Sequence, residues 1–430
     1  MRLVQITPGA GRNFYCENCL RDSALVVELK RLGHETLMVP LYLPILTDGP
    51  NPAEGVPIFF GGIQVYLQQR SRLFRKMPRW IGRLLNSRRL LTWAAKRAEM
   101  TDATDLGPPT LAMLRGEDGD QVRELERFLA WLSEHGRTDV VCLSNALLTG
   151  LARRIKEETG APILCTLQDE DAFLDALPEP YRTQAWETLR QRARDVDVFL
   201  PVSHYYAGVM RRRLGLEAEQ ARVVPVGIDL EGYEPAPEPP AVPTIGYLAQ
   251  LNRACGLDIL AEAFLTVRNR GRVPHVRLRI CGAHTAGGRS FVQAIRRRLK
   301  DAGADRDVEF LPAPDRATKQ EFLRSLSVLS VPAREGVAFG TYIIEAAASG
   351  VPVVEPRIGA LSELVETTGG GVLVRPEDPD ALADAIEGLL ARPNEAHALG
   401  KRARDVALRE FSVHRMAENV VTVCQSIARG

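Results

Sequence analysis

One acid in an otherwise small and apolar helical turn is the first chemical signal in this chain of 430 residues. In "FGTYIIEAAASGVPVV", residues 339 to 354, Gly340 and Thr341 fall where a helix should start, and Glu345 follows one turn later. A Gly-Val-Pro then leads into an apolar strand. Backbone amides around Gly340, Thr341 and Tyr342 suit a diphosphate, because the first N–H groups of a helix lack partners and its dipole is positive there. Glu345 suits the hydroxyls of a ribose, and a carboxylate in such surroundings is costly to bury without a partner. A second glycine-bearing loop, "TPGAGRNFYCENC", follows the opening strand. Gly9 and Gly11 allow either close approach of a ligand or a plain strand-to-helix turn, and their spacing matches neither a P-loop nor a dinucleotide fingerprint. In "CTLQDEDAF", Asp169, Glu170 and Asp171 read as acid and base, as hydroxyl-orienting groups, or as a solvated acidic loop. Ser203, ahead of His204, reads equally as a site residue or a helix cap.

A basic stretch carries a different signal. Residues 70 to 97, "RSRLFRKMPRWIGRLLNSRRLLTWAAKR", contain no acid, and cations such as Arg70, Arg79, Arg83, Arg88 and Arg89 alternate with Trp80, Leu84, Leu85 and Trp93. Cations opposite Trp and Leu suit contact with an anionic membrane or a phosphorylated acceptor, and a solvated basic face over a local core remains open. Pro78 divides the run into two shorter helices. No nucleic-acid reading module accompanies the charge. Net charge is only +1, so no global field attracts nucleic acid or membrane. Cys16 and Cys19 form one CxxC without the second pair that a four-sulfur zinc site requires, and the remaining cysteines are scattered, which fits reduced thiols. Neither a secretory leader nor a membrane-spanning run stands out, and the expectation is a cytoplasmic protein, with peripheral contact at the inner face of the membrane through the basic stretch.

The elements that must position these groups alternate along the chain. "RLVQITP", "ETLMVPLY", "DVVCLS", "PILCTLQ", "VFLPVS" and "ARVVPV" read as short buried parallel strands, with helical periods at 20 to 33, 121 to 135, 146 to 159 and 183 to 195. After the Pro-rich "EPAPEPPAVP" the pattern restarts with "TIGYLA", "VRLRICG", "VEFLP", "VLSVPA", "VPVVEP" and "GVLV". The expected fold is α/β, with two Rossmann-like doubly wound domains facing a cleft. Their bounds are 1–233, a linker at 234–243, a second domain at 244–408, and a C-terminal helix at 409–430 packing back on the first.

Four stretches carry a family likeness: "FGTYIIEAAASGVPVV" with "GALSELVE", "IGYLAQLNRACGLDILAEAF", "VVPVGIDLEGY", and the C-terminal "EFSVHRMAENVVTVCQSIA". Through them the chain resembles the GT-B glycosyltransferases of the retaining family 4 group along almost its full length. The resemblance implies sugar transfer from a UDP- or GDP-linked donor to an acceptor hydroxyl, without a metal or other cofactor. The donor would lie on the second domain, and an acceptor, lipid-linked or phosphorylated, on the first. Donor-binding positions are then Gly9, Gly11, Gln250, Arg253, Cys255, Gly282, Phe339, Gly340, Thr341, Tyr342 and Glu345, and Gln168, Asp169 and Glu335 stand at the reacting sugar. Several positions depart from the family pattern. Gln250 stands for its Arg, Cys255 for its Lys, Val337 for the first acid of its acid pair, Gln168 for a His, and Val226 for an Asn. Arg253 and Glu335 are near enough in sequence to stand in, or are exposed loop charges. The alternative reading is a silenced GT-B relative that binds without transferring.

Overall fold

The computed structural model describes residues 1–9, 17–45, 52–60, 103–284 and 286–428. The chain forms two compact units, Met1–Pro225 with Met416–Gly430, and Val226–Arg415.

Five parallel strands make the sheet of the first unit: β1 (Arg2–Thr7), β2 (Glu35–Pro40), β3 (Val140–Leu143), β4 (Ile163–Leu167) and β5 (Val198–Pro201). Their order is β2-β1-β3-β4-β5, with Val4 opposite both Leu37 and Val141. β3 and β5 are buried along their whole length, as strands covered on both faces must be, and their sequences are correspondingly unbroken apolar runs. "ARVVPV" joins no strand ladder. Ala221 makes an isolated bridge to Phe199, and Arg222 and Val224 each donate one backbone bond to β5, but Pro225 has no N–H to extend the pairing.

The second unit holds β6 (Thr244–Leu248), β7 (Arg277–Cys281), β8 (Val308–Leu311), β9 (Val328–Leu329), β10 (Val353–Pro356) and β11 (Gly371–Val374). Their order, β11-β10-β9-β6-β7-β8, is that of a doubly wound dinucleotide-type sheet, all parallel. Helices Leu257–Arg270 and Pro379–Leu390 pack together over it, burying Leu260, Phe264, Ile386 and Leu389 against Ile245, Ile280 and Val354. Segment 226–243 belongs to this unit. Arg316 bonds the carbonyls of Asp229 and Glu231, Gln320 bonds the Glu231 carbonyl, and Arg404 bonds Tyr233 O and the Glu234 carboxylate. These ties secure a strap that its prolines keep from forming helix or strand.

Candidate functional site

In the second sheet the strand order reverses between β6 and β9, and a doubly wound sheet receives ligands beyond the carboxyl ends of the strands at that point. The loops after β6 and β9 therefore form the candidate site, and they are bound to each other. Arg334 N donates to Ala254 O at 2.9 Å, and the Arg334 guanidinium grips Asp258 through two bonds of 2.8 Å while also reaching Glu377. Burial pushes the Asp258 carboxyl up, but Arg334, with Arg253 nearby, outweighs it and holds the group below its ordinary value. Gly256 adopts φ +70°, and a Cβ there would lie 1.8 Å from Pro332 O, so the two loops touch backbone to backbone.

Of the expected donor-side residues, Gln250, Arg253, Cys255, Phe339 and Gly340 sit on these loops, and Thr341, Tyr342 and Glu345 on the helix that follows the second. Gln250 and Arg253 are exposed and Cys255 is half-buried. The Asn252 side chain stitches their loop, accepting from Cys255 N at 2.8 Å and donating to Gln250 Oε1 at 3.3 Å. Glu335 is exposed and Val337 half-buried, with Val337 O accepting from Ala360 N. Helix Thr341–Ala348 starts at Gly340 with no side-chain cap, which leaves its leading amides to a ligand or solvent. Tyr342 points its hydroxyl the other way, donating to Glu355 Oε2 at 2.9 Å, while Val331 N donates to Oε1 of the same carboxyl. Glu355 lies fully buried in β10, and burial holds its pKa well above the usual carboxylate range. It thus fastens the β9 loop and the first helical turn from below. Phe339 is buried against Phe411, a packing role, and Gly282 directly follows β7 with its N–H on Leu311 O.

Glu345 is 6% exposed, and Tyr233 OH at 3.0 Å and Lys319 Nζ at 2.7 Å both bond its Oε1. The acid thus has the partner that burial demands. Burial first, and the Glu345 charge second, raise the Tyr233 phenol above its ordinary pKa, so it remains a donor.

In the first unit the order reverses between β1 and β3. Gly9 adopts φ +86°, and a Cβ there would lie 1.8 Å from Leu43 O, so packing alone requires the glycine. Gln168, 7% exposed, accepts from Arg21 Nη1 at 2.6 Å, and Arg21 also bonds Asp22 Oδ1 and Ser144 O. The three acids separate. Asp169 is exposed at φ +60°, whereas buried Glu170 accepts from Ala146 N, Gln168 N and Tyr206 OH, and Asp171 accepts from Tyr206 OH at 2.9 Å. Glu170 therefore ties together the loops after β3 and β4 and the helix after β5, and burial raises its pKa to about 7 against the pull of those donors. Ser203 caps helix His204–Leu214 by accepting from Tyr206 N.

Gly11, Cys16, Trp80 and the basic residues Arg70, Arg79, Arg83, Arg88 and Arg89 lie outside the described residues. Among the described residues, no group of three or more His, Cys, Asp or Glu could hold a metal ion, and no helix is long and apolar enough to cross a membrane. Sequence reasoning did not single out Arg21, Tyr233, Lys319, Arg334 or Glu355. For Glu355 a signal existed, an acid inside the apolar run "VPVVEP". Lys319 and Arg334 look like ordinary surface cations until the chain is folded.

Comparison with known proteins matches these two architectures separately. Residues 107–231 fit the model described as Glycosyltransferase Family 4, and residues 242–392 that of Glycosyl transferases group 1. The chain belongs to the family 4 glycosyltransferases of GT-B fold. It is 27% identical over 379 residues to the GDP-mannose-dependent alpha-(1-6)-phosphatidylinositol monomannoside mannosyltransferase of Mycolicibacterium smegmatis, covering 81% of this chain and 90% of that one. It is 28% identical over 227 residues to the D-inositol 3-phosphate glycosyltransferase of Corynebacterium urealyticum, covering 50% of this chain and 53% of the relative. The chain thus spans only about half the length of that relative. Anabaena Alr3699/HepE in complex with UDP has the same fold, with a TM-score of 0.69 at 17% identity over 99% of this chain and all of the other. Sucrose-phosphate synthase of Thermosynechococcus elongatus aligns equally well, with a TM-score of 0.69 at 17% identity over 99% of each chain.

Proposed function

We propose that this protein transfers a glycosyl group from a nucleoside diphosphate sugar to an acceptor hydroxyl with retention of configuration. The observation that carries the reading is the switch point of the second sheet, where helix Thr341–Ala348 begins without a side-chain cap and presents Glu345 one turn on. In this reading the amides at Gly340 to Tyr342 take the diphosphate and Glu345 takes the ribose hydroxyls. Negative charge growing on the departing diphosphate is the dominant electrostatic demand of the reaction, and fixed dipoles meet it without reorganising. Because Gln250 and Cys255 carry no positive charge, the helix amides and the exposed Arg253 bear that demand. In this reading Asp169 serves the acceptor and Glu335 the sugar, both from exposed loop positions, and Gln168 acts from a position held by Arg21. The acceptor belongs to the first unit. A phosphorylated or lipid-linked polyol is the favoured class, supported by the relatives named for inositol phosphate and phosphatidylinositol mannoside and by the basic stretch 70 to 97.

The test is release of nucleoside diphosphate from UDP- and GDP-sugars. Each is offered with inositol phosphate in solution and with phosphatidylinositol in liposomes, using the wild-type chain and a variant with Arg83, Arg88 and Arg89 changed to Glu. Acceptor-dependent release is expected, and the charge-reversed variant should lose it on liposomes first. Binding without release from any sugar would make the protein a nucleotide-sugar binder and end the transfer reading.

A further inference from the structure

Glu345 has a geometric peculiarity that its sequence position does not explain. Its side chain is 8% exposed on a helical turn whose neighbours, Ile343 through Ala348, are all buried. A buried carboxylate needs a cation and a hydrogen-bond donor to hold it in one place. Both are present and come from separate elements. Lys319 lies on helix Arg316–Arg324, between β8 and β9, and Tyr233 lies on the strap that follows the unit boundary. Both bond the same oxygen, Oε1, and neither of these two donors engages Oε2. The strap is itself immobilised by Arg316, Gln320 and Arg404, so Tyr233 arrives in a fixed place.

We propose that Lys319 and Tyr233 are positioning residues that hold the Glu345 carboxylate in one aimed rotamer, and thereby set the preference of the donor pocket for an intact ribose over a 2′-deoxyribose. The inference rests on the donor-site reading above. In this inference Lys319 acts on the ligand only through Glu345. It therefore discriminates only between ligands that differ in the hydroxyl Glu345 accepts from.

The experiment measures binding of UDP, GDP, 2′-deoxy-UDP and 2′-deoxy-GDP to the full chain by titration calorimetry. The variants are Lys319→Met, Lys319→Arg, Tyr233→Phe and Glu345→Gln, each checked for folding by thermal melt. A hydrogen bond to a charged group predicts that wild type binds the preferred ribonucleotide about 10- to 100-fold more tightly than its deoxy counterpart. Lys319→Met should bring that ratio close to one by weakening only the ribonucleotide, as should Glu345→Gln, and Lys319→Arg should restore most of it. Tyr233→Phe, which removes a single hydroxyl, should lower the ratio part of the way and serves if Lys319→Met does not fold. Equal weakening of ribo and deoxy ligands by Lys319→Met, or an unchanged ratio in both Lys319→Met and Tyr233→Phe, overturns the inference while leaving the donor site standing. Failure of wild type to bind either ribonucleoside diphosphate overturns the donor site and this inference with it.

Discussion

Replacing Gly256 by alanine tests the contact on which the second-unit site is built, and Gly271→Ala is its internal control. The two glycines flank one helix, Leu257–Arg270, as its N-cap and C-cap, with φ of +70° and +66°. Each substitution therefore carries the same penalty for a side chain in the left-handed region, about 1 kcal/mol. They differ in what the new methyl group meets: at 271 nothing lies within 4 Å, while at 256 Pro332 O would be 1.8 Å away. To reach ordinary contact the β9 loop must retreat by more than an ångström, and its ties to the β6 loop then fail. The backbone bond from Arg334 N to Ala254 O contributes about 1 kcal/mol, and the half-buried Arg334–Asp258 pair about 1 to 2 kcal/mol after solvent screening. Gly256→Ala should therefore cost about 3 to 4 kcal/mol against about 1 for Gly271→Ala. For a unit of this size that is a fall of roughly 10 °C against roughly 3 °C in the second-unit transition, read by scanning calorimetry of the full chain. Equal shifts in the two variants would refute the claim that the loops press together at the switch point.

Two other expectations concern charge. Glu170 has its pKa raised by burial from 4.5 to about 7, so its contribution to stability is complete below 4.5 and is lost as pH rises through 7. That difference amounts to roughly 3 kcal/mol, and Glu170→Gln should flatten the dependence of first-unit stability on pH between 5 and 7; an undiminished slope in the variant would show that another group titrates there. Changing Gln250 to Arg, Cys255 to Lys and Val337 to Glu together should raise the rate of nucleoside diphosphate release at least 100-fold, because each restored cation at 250 and 255 is worth that order alone. No gain in a folded triple variant would mean that the charge is already met by other groups.

Much of the architecture was legible in the chain because it depends on short-range rules. Parallel strands buried on both faces must be unbroken apolar runs, and eleven of the twelve expected runs, such as "TIGYLA" and "VPVVEP", form strands. "ARVVPV" has the same composition but ends at Pro225, where pairing needs a donor the residue lacks. "VLSVPA" yields only the short β9, Val328–Leu329, before the chain turns into the site loop.

The site was legible in part. Gly340 at a helix start and Glu345 one turn on could be read directly, since helix geometry sets their spacing. The sequence alone also determined that positions 250, 255 and 337 bring neither cation nor acid to the β6 and β9 loops. What partners Glu345 was decided by tertiary structure. Tyr233 and Lys319 lie 112 and 26 residues away along the chain, and no local period joins them. The same holds for Arg334 on Asp258 and Arg21 on Gln168, separated by 76 and 147 residues. Local pattern sets which face of an element is buried, but a charged side chain finds its partner only when sheet order brings distant strand ends to one edge.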